Sequence, residues 1–163
     1  MLFRSEDEQT KVYSTGWCQE FDSREGGLSL GEYILMGGIR GSGKSIITQN
    51  TTLHQYAEHK NSAAFFNIEM SPGNVNRRFL SAITQTAYNL LKVKMDEQEK
   101  LALMRGKARF LYQNDEALQY AFDKAKTLNE LNKILKGDCT PNEHKLTIVN
   151  DGGLTMVKLE QHL

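Results

Sequence analysis

Gly38-Ile39-Arg40-Gly41-Ser42-Gly43-Lys44-Ser45 is the stretch whose reading decides the fold, because it fits G-x-x-x-x-G-K-[ST] at every fixed position. Just before it, Tyr33-Ile34-Leu35-Met36 is a short apolar run between Gly31 and Gly37, the pattern of a buried strand. Just after it, residues 44–59 are expected to form a helix. Strand, glycine turn and helix N-terminus together make a phosphate cradle. Gly37, Gly38, Gly41 and Gly43 let the backbone turn tightly and aim its N–H groups inward. The helix opening at Lys44 adds the positive end of its dipole. Residues Gly38, Ile39, Arg40, Gly41, Ser42, Gly43, Lys44 and Ser45 are therefore the expected nucleotide-binding set. In it Lys44 reaches the β- and γ-phosphates and the Ser45 hydroxyl ligates Mg²⁺.

Working outward, 163 residues make one domain at most, with enough chain to bury a core. Lys plus Arg and Asp plus Glu stand at 20 each, so no global positive charge advertises nucleic acid. Any such partner would have to be held by local loops or by a ring of subunits. Cys18 and Cys139 fit neither a metal spacing nor a disulfide framework, which makes a reducing compartment the expectation. No stretch approaches the roughly 20 apolar residues of a membrane span, and residues 1–8 lack a signal-peptide core. The expected setting is cytoplasmic, with no membrane partner.

Residues 1–14 are polar and charged and read as a linker or arm. Trp17 is the single tryptophan, expected as a packing residue at the domain edge rather than a base-stacking platform. Beyond the loop, Ile46, Ile47, Asn50, Leu53 and Ala57 come close to a 3.6-residue stripe. Ala63-Ala64-Phe65-Phe66-Asn67-Ile68 is a second continuous apolar run, as in a parallel strand covered on both faces, and it ends at Glu69. Ser71-Pro72 supplies a cap and a first-turn proline, predicting a helix from Pro72 to about Leu91. Residues 92–141 are helical and charged, with one helix starting at 96–99. A second starts near Asn114-Asp115 and carries Leu118, Phe122, Ala125, Leu128, Leu131 and Leu135 on one face. Their interleaved charges read as solvated faces. Residues 145–150 form a third strand, 151–153 a turn, and Thr155 caps a further helix. Alternating strands and helices imply an α/β fold with a parallel sheet flanked by helices.

Several of these features together go beyond a bare phosphate loop. Thr15-Gly16-Trp17, Gly26-Gly27-Leu28 and Gly31 precede it, and Asn50 follows in the helix. Then come Phe66-Asn67-Ile68-Glu69-Met70-Ser71, Arg78, and finally Ile148 with Gly153-Leu154-Thr155. This order resembles the ATPase domain of DnaB-type replicative helicases, a RecA-like fold of phage and bacterial proteins. The resemblance covers residues 15–91 and 146–163, with 92–141 as a helical insertion and the whole as an N-terminal portion of that domain. It implies a motor that binds and hydrolyses ATP with Mg²⁺ in a homo-hexameric ring, translocates on single-stranded DNA, and works with a primase or loader. It also implies that Glu69 is the catalytic carboxylate that orients the attacking water beside Lys44. A carboxylate at the carboxyl end of a parallel strand is well placed for that on physical grounds, since ligands bind there in open sheets. The competing reading is that Glu69 merely caps the helix at Ser71 or sits in solvent.

The family's Mg²⁺-associated aspartate, arginine finger and DNA loops are expected beyond Leu163, and Asp151 is the alternative Mg²⁺ carboxylate within the chain. Two other readings stay open: a RecA-, RadA- or KaiC-like ATPase, and a nucleotide-binding interaction module without catalysis.

Overall fold

The computed structural model describes residues 11–112, 116–137 and 139–150. Asp151, the turn at 151–153 and the helix expected from Thr155 lie outside the described residues. The chain divides into two compact units, Met1–Ala63 and Ala64–Leu163.

In the N-terminal unit, β1 (Val12–Tyr13) pairs antiparallel with β2 (Leu28–Ser29), Val12 opposite Ser29 and Tyr13 opposite Leu28. Between them runs α1 (Gln19–Glu25), where the Cys18 sulfur accepts from the Phe21 N–H and Gly26 ends the helix at φ 80°. The last residues of the expected arm are thus tied in. The Ser14 hydroxyl lies 2.7 Å from His54 Nε2 and 2.8 Å from His59 Nε2, and Gln55 Nε2 donates to the Ser14 carbonyl at 2.7 Å. These partners sit at the end of α2 (Lys44–Ala57), which buries Gln49, Leu53 and Tyr56. Thr15 is fully buried, and its N–H donates to Asp22 Oδ1 at 2.8 Å. Burial raises the Asp22 pKa, but the Thr15 hydroxyl, the Thr15 and Gly16 N–H groups and the charge of His54 outweigh it. The carboxyl is left below its ordinary value.

The expected strand at Tyr33-Ile34-Leu35-Met36 is not formed. Residues 32–39 carry no strand, and Tyr33 and Leu35 are more than four-fifths exposed. The physical reason is pairing: β1 and β2 are two residues each and bond to one another, so no strand among the described residues of this unit offers the run a ladder. A parallel strand needs neighbours brought in by crossovers, and apolar composition alone does not supply them.

From its second residue on, β3 (Ala63–Asn67) belongs to the C-terminal unit, and it pairs in parallel with β4 (Leu146–Asn150). After β3, α3 (Pro72–Thr84) starts at Ser71 and turns Val75 and Phe79 inward, Phe79 edge-on to Phe65 at 5.1 Å. It stops well short of Leu91. Gln85 takes the left-handed conformation at φ 54°, and the Ser81 and Thr84 hydroxyls bond the carbonyls of Thr86 and Leu80. A 3₁₀ turn over Leu90–Lys92 follows.

Next, α4 (Glu97–Leu111) begins with a capping box in which Asp96 and Glu99 bond each other's backbone N–H. It crosses α3 closely, for a Cβ added at Gly106 would come within 3.0 Å of the Thr84 backbone. The single helix expected after Asn114 is two, α5 (Glu116–Lys124) and α6 (Leu128–Gly137). The break has a local cause: the Glu130 N–H bonds Thr127 Oγ1 while Glu130 Oε2 accepts from the Lys126 N–H, a T-x-x-E start whose glutamate reaches the residue before the cap. Leu101, Ala108, Phe122, Ala125 and Leu131 form the core of these three helices. Arg105 caps the Ala125 carbonyl and Arg109 pairs with Asp123. Asn142 then joins the end of α4 to the approach of β4, its N–H on the Leu111 carbonyl and its amide on that of Phe110.

Candidate functional site

The phosphate loop is a backbone structure. Gly41 and Gly43 hold φ of 83° and 89°, a region L side chains rarely adopt, and a Cβ at either would meet nothing within 4 Å. Glycine is needed at both for torsion and not for space. Gly38 is different: a Cβ there would come 2.5 Å from Ser42 Oγ. The Ser42 N–H bonds the Ile39 carbonyl at 3.2 Å, which closes the turn.

The loop delivers the chain into α2 with Gly43 as its cap residue and no side chain capping it. The amides of Ile46 and Ile47 both bond the Gly43 carbonyl, at 2.9 and 3.0 Å. The amides of Lys44 and Ser45 are therefore the first-turn donors left for an anion. Lys44 Nζ folds back over the loop and donates to the Gly38 and Ile39 carbonyls at 2.7 and 2.8 Å. The ammonium is thus held against the loop's own backbone. Arg40 and Ile39 are exposed at the rim, and Ser45 is half-buried at the first turn. An ammonium, two helix-start amides and a hydroxyl suit phosphate oxygens and a hard cation such as Mg²⁺.

Trp17 and Phe21 pack with ring centroids 4.8 Å apart, and the indole N–H donates to Thr51 Oγ1 at 2.5 Å. That is the packing role expected of Trp17. Beside these rings lies an open apolar cavity of about 540 Å³, lined also by Ile34, Leu35, Met36, Gly37 and Ile47. Asn50 is exposed on α2.

Glu69 belongs to the C-terminal unit, in the bend at 68–70 that follows β3. Its side chain is exposed and makes no hydrogen bond or ion pair among the described residues. Making no such bond, Glu69 does not cap α3, whose first turn has the Asn74 and Val75 N–H groups on the Ser71 carbonyl; its exposure is what the solvent-facing alternative expects. What sequence reasoning missed is Asn67, a polar residue inside an apolar run. It is buried and bonds both polar atoms of the Met70 backbone. Its mismatch with the run was the available signal. Arg78 is half-buried on α3. Among the described residues no group of three His, Cys, Asp or Glu side chains is placed to hold a metal, and no helix is long and apolar enough to cross a membrane.

The family model for the DnaB-like helicase C-terminal domain matches residues 14–160, spanning the loop, Glu69 and all the helices between β3 and β4. No curated protein and no solved structure matches the chain.

Proposed function

Since the chain belongs to the DnaB-like helicase C-terminal domain family, we propose that it is an ATP-binding and hydrolysing motor domain of a ring-forming replicative DNA helicase. In this reading it translocates on single-stranded DNA and unwinds the duplex as part of a homo-hexamer, with a primase or loader as a further partner. The observation that carries the reading is the Gly38–Ser45 loop, with its two left-handed glycines, helix-start amides and the Lys44 ammonium on two loop carbonyls.

Lys44 exchanges those carbonyls for phosphate oxygens, a trade of neutral acceptors for charged ones that favours the triphosphate. The Lys44 and Ser45 amides bind the same anion, and the Ser45 hydroxyl supports Mg²⁺. When bound, Mg²⁺ screens the phosphate oxygens and lowers the barrier to attack. Glu69, exposed and unpaired after β3, orients the attacking water and draws its proton. Orientation and charge stabilisation are most of what phosphoryl transfer asks of a protein.

The test is Glu69→Gln, followed by equilibrium binding of a fluorescent ATP analogue and by phosphate release with and without single-stranded DNA. Retained binding with turnover abolished is the expected result. Unchanged turnover would remove Glu69 from the chemistry. DNA-stimulated turnover by the unsubstituted chain would reject the non-catalytic interaction module, and nucleotide binding without any turnover would favour it.

A further inference from the structure

We propose that Asn67 is a positioning residue for Glu69, anchored by Asn150 on the neighbouring strand; the inference rests on the reading of Glu69 as the water-orienting carboxylate. Asn67 is the last residue of β3 and is 7% exposed, an amide inside an otherwise apolar run. Burying an amide is costly unless its donors and acceptor are used. Here they are. Nδ2 donates to the Met70 carbonyl at 2.6 Å and to Asn150 Oδ1 at 3.2 Å, while Oδ1 accepts from the Met70 N–H at 3.1 Å.

The consequence for Glu69 is geometric. Ile68 and Glu69 are both exposed, and they are the two residues spanned by this pincer. With no side-chain partner of its own among the described residues, the Glu69 carboxylate takes its direction from the backbone beneath it. Asn67 closes that backbone into a small ring through both polar atoms of Met70. Asn150 ends β4, so its bond refers the ring to the carboxyl ends of two paired strands rather than to one. Asparagine suits the post because one planar group donates and accepts at once. An aspartate at 67 would keep the bond from the Met70 N–H but set a carboxylate against the Met70 carbonyl. At 150 only an acceptor is required, which either Asn or Asp supplies.

The experiment uses the full chain and measures kcat and KM for ATP hydrolysis, affinity for a fluorescent ATP analogue, and hydrogen exchange at the Met70 amide. Asn67→Ala is expected to lower kcat on the order of 100-fold, the scale of a small misplacement of a reacting group. Nucleotide affinity should stay within about twofold, and the Met70 amide should lose protection. Asn150→Asp is expected to keep kcat near wild type, whereas Asn150→Ala lowers it several-fold. Should Asn67→Ala fail to fold, Asn67→Asp and the Asn150 pair carry the same comparison. Unchanged kcat in Asn67→Ala, or equal losses in Asn150→Asp and Asn150→Ala, would overturn the proposal. So would unchanged exchange at Met70, a readout that does not depend on turnover. Unchanged turnover in Glu69→Gln would instead sink the role of Glu69, leaving the exchange result to report on the brace alone.

Discussion

The loop at Gly38–Ser45 and the α4–α6 helices keep their shape by opposite means. The loop depends on two left-handed glycines, a turn bond at Ser42 and a lysine on its own carbonyls, and its Ile39 and the preceding Tyr33 and Leu35 are exposed. The helices depend on side chains: Leu101, Phe122 and Leu131 are at or below 1% exposed. The difference teaches where each property of the protein resides. Buried apolar volume stabilises the C-terminal unit, while the binding geometry of the N-terminal unit is written in backbone torsions and one charge. Substitutions should therefore separate stability from nucleotide affinity.

The sharpest separation is expected from Phe122→Ala, which should cost about 3–5 kcal/mol in chemical denaturation by emptying the centre of the helical core. A cost below about 1 kcal/mol would mean that these helices do not carry the stability of the chain. Lys44→Ala should do the reverse. ATP-analogue affinity should fall at least about tenfold, equivalent to about 1.4 kcal/mol, while stability changes by no more than about 0.5 kcal/mol. Global unfolding of Lys44→Ala would break the comparison outright. Asp96→Ala, which removes one arm of the α4 capping box, should cost about 1 kcal/mol in denaturation and leave nucleotide binding unchanged.

The smallest effect concerns Asp22 in the N-terminal unit. Its folded pKa lies below the ordinary 3.8, so its ionised form is favoured by folding. The contribution is present above that ordinary value and fades as pH falls through the lower folded pKa. An acid titration of stability should show this loss in the wild type and a flatter acid limb in Asp22→Asn. A curve unaltered by the substitution would show that the Thr15–Asp22 contact does not hold the start of the unit.

Much of this was legible beforehand where the signal is local. The glycine and lysine spacing announced the loop, Ser71-Pro72 and Asp96 announced helix starts, and the stripe from Leu118 to Leu135 announced the helical core. The break inside that stripe has a local signal too, since Thr127-x-x-Glu130 has the spacing of Asp96 and Glu99. Periodicity continued across it and masked the cap. The early end of α3 was less accessible, since a left-handed Gln85 has no sequence signature.

By itself, then, the sequence determined the chemistry on offer: a phosphate-loop motif, a carboxylate after an apolar run, and the helices whose starts are capped. Those are properties of residues within a turn or two of each other. Tertiary structure alone decided which apolar run became a strand, because Ala63–Asn67 finds β4 as a partner and Tyr33–Met36 finds none among the described residues of its unit. It alone brought Asn150 to Asn67 across 83 residues of chain. Ladder hydrogen bonds and the burial of an amide are satisfied only by groups distant in sequence, and no local pattern specifies them.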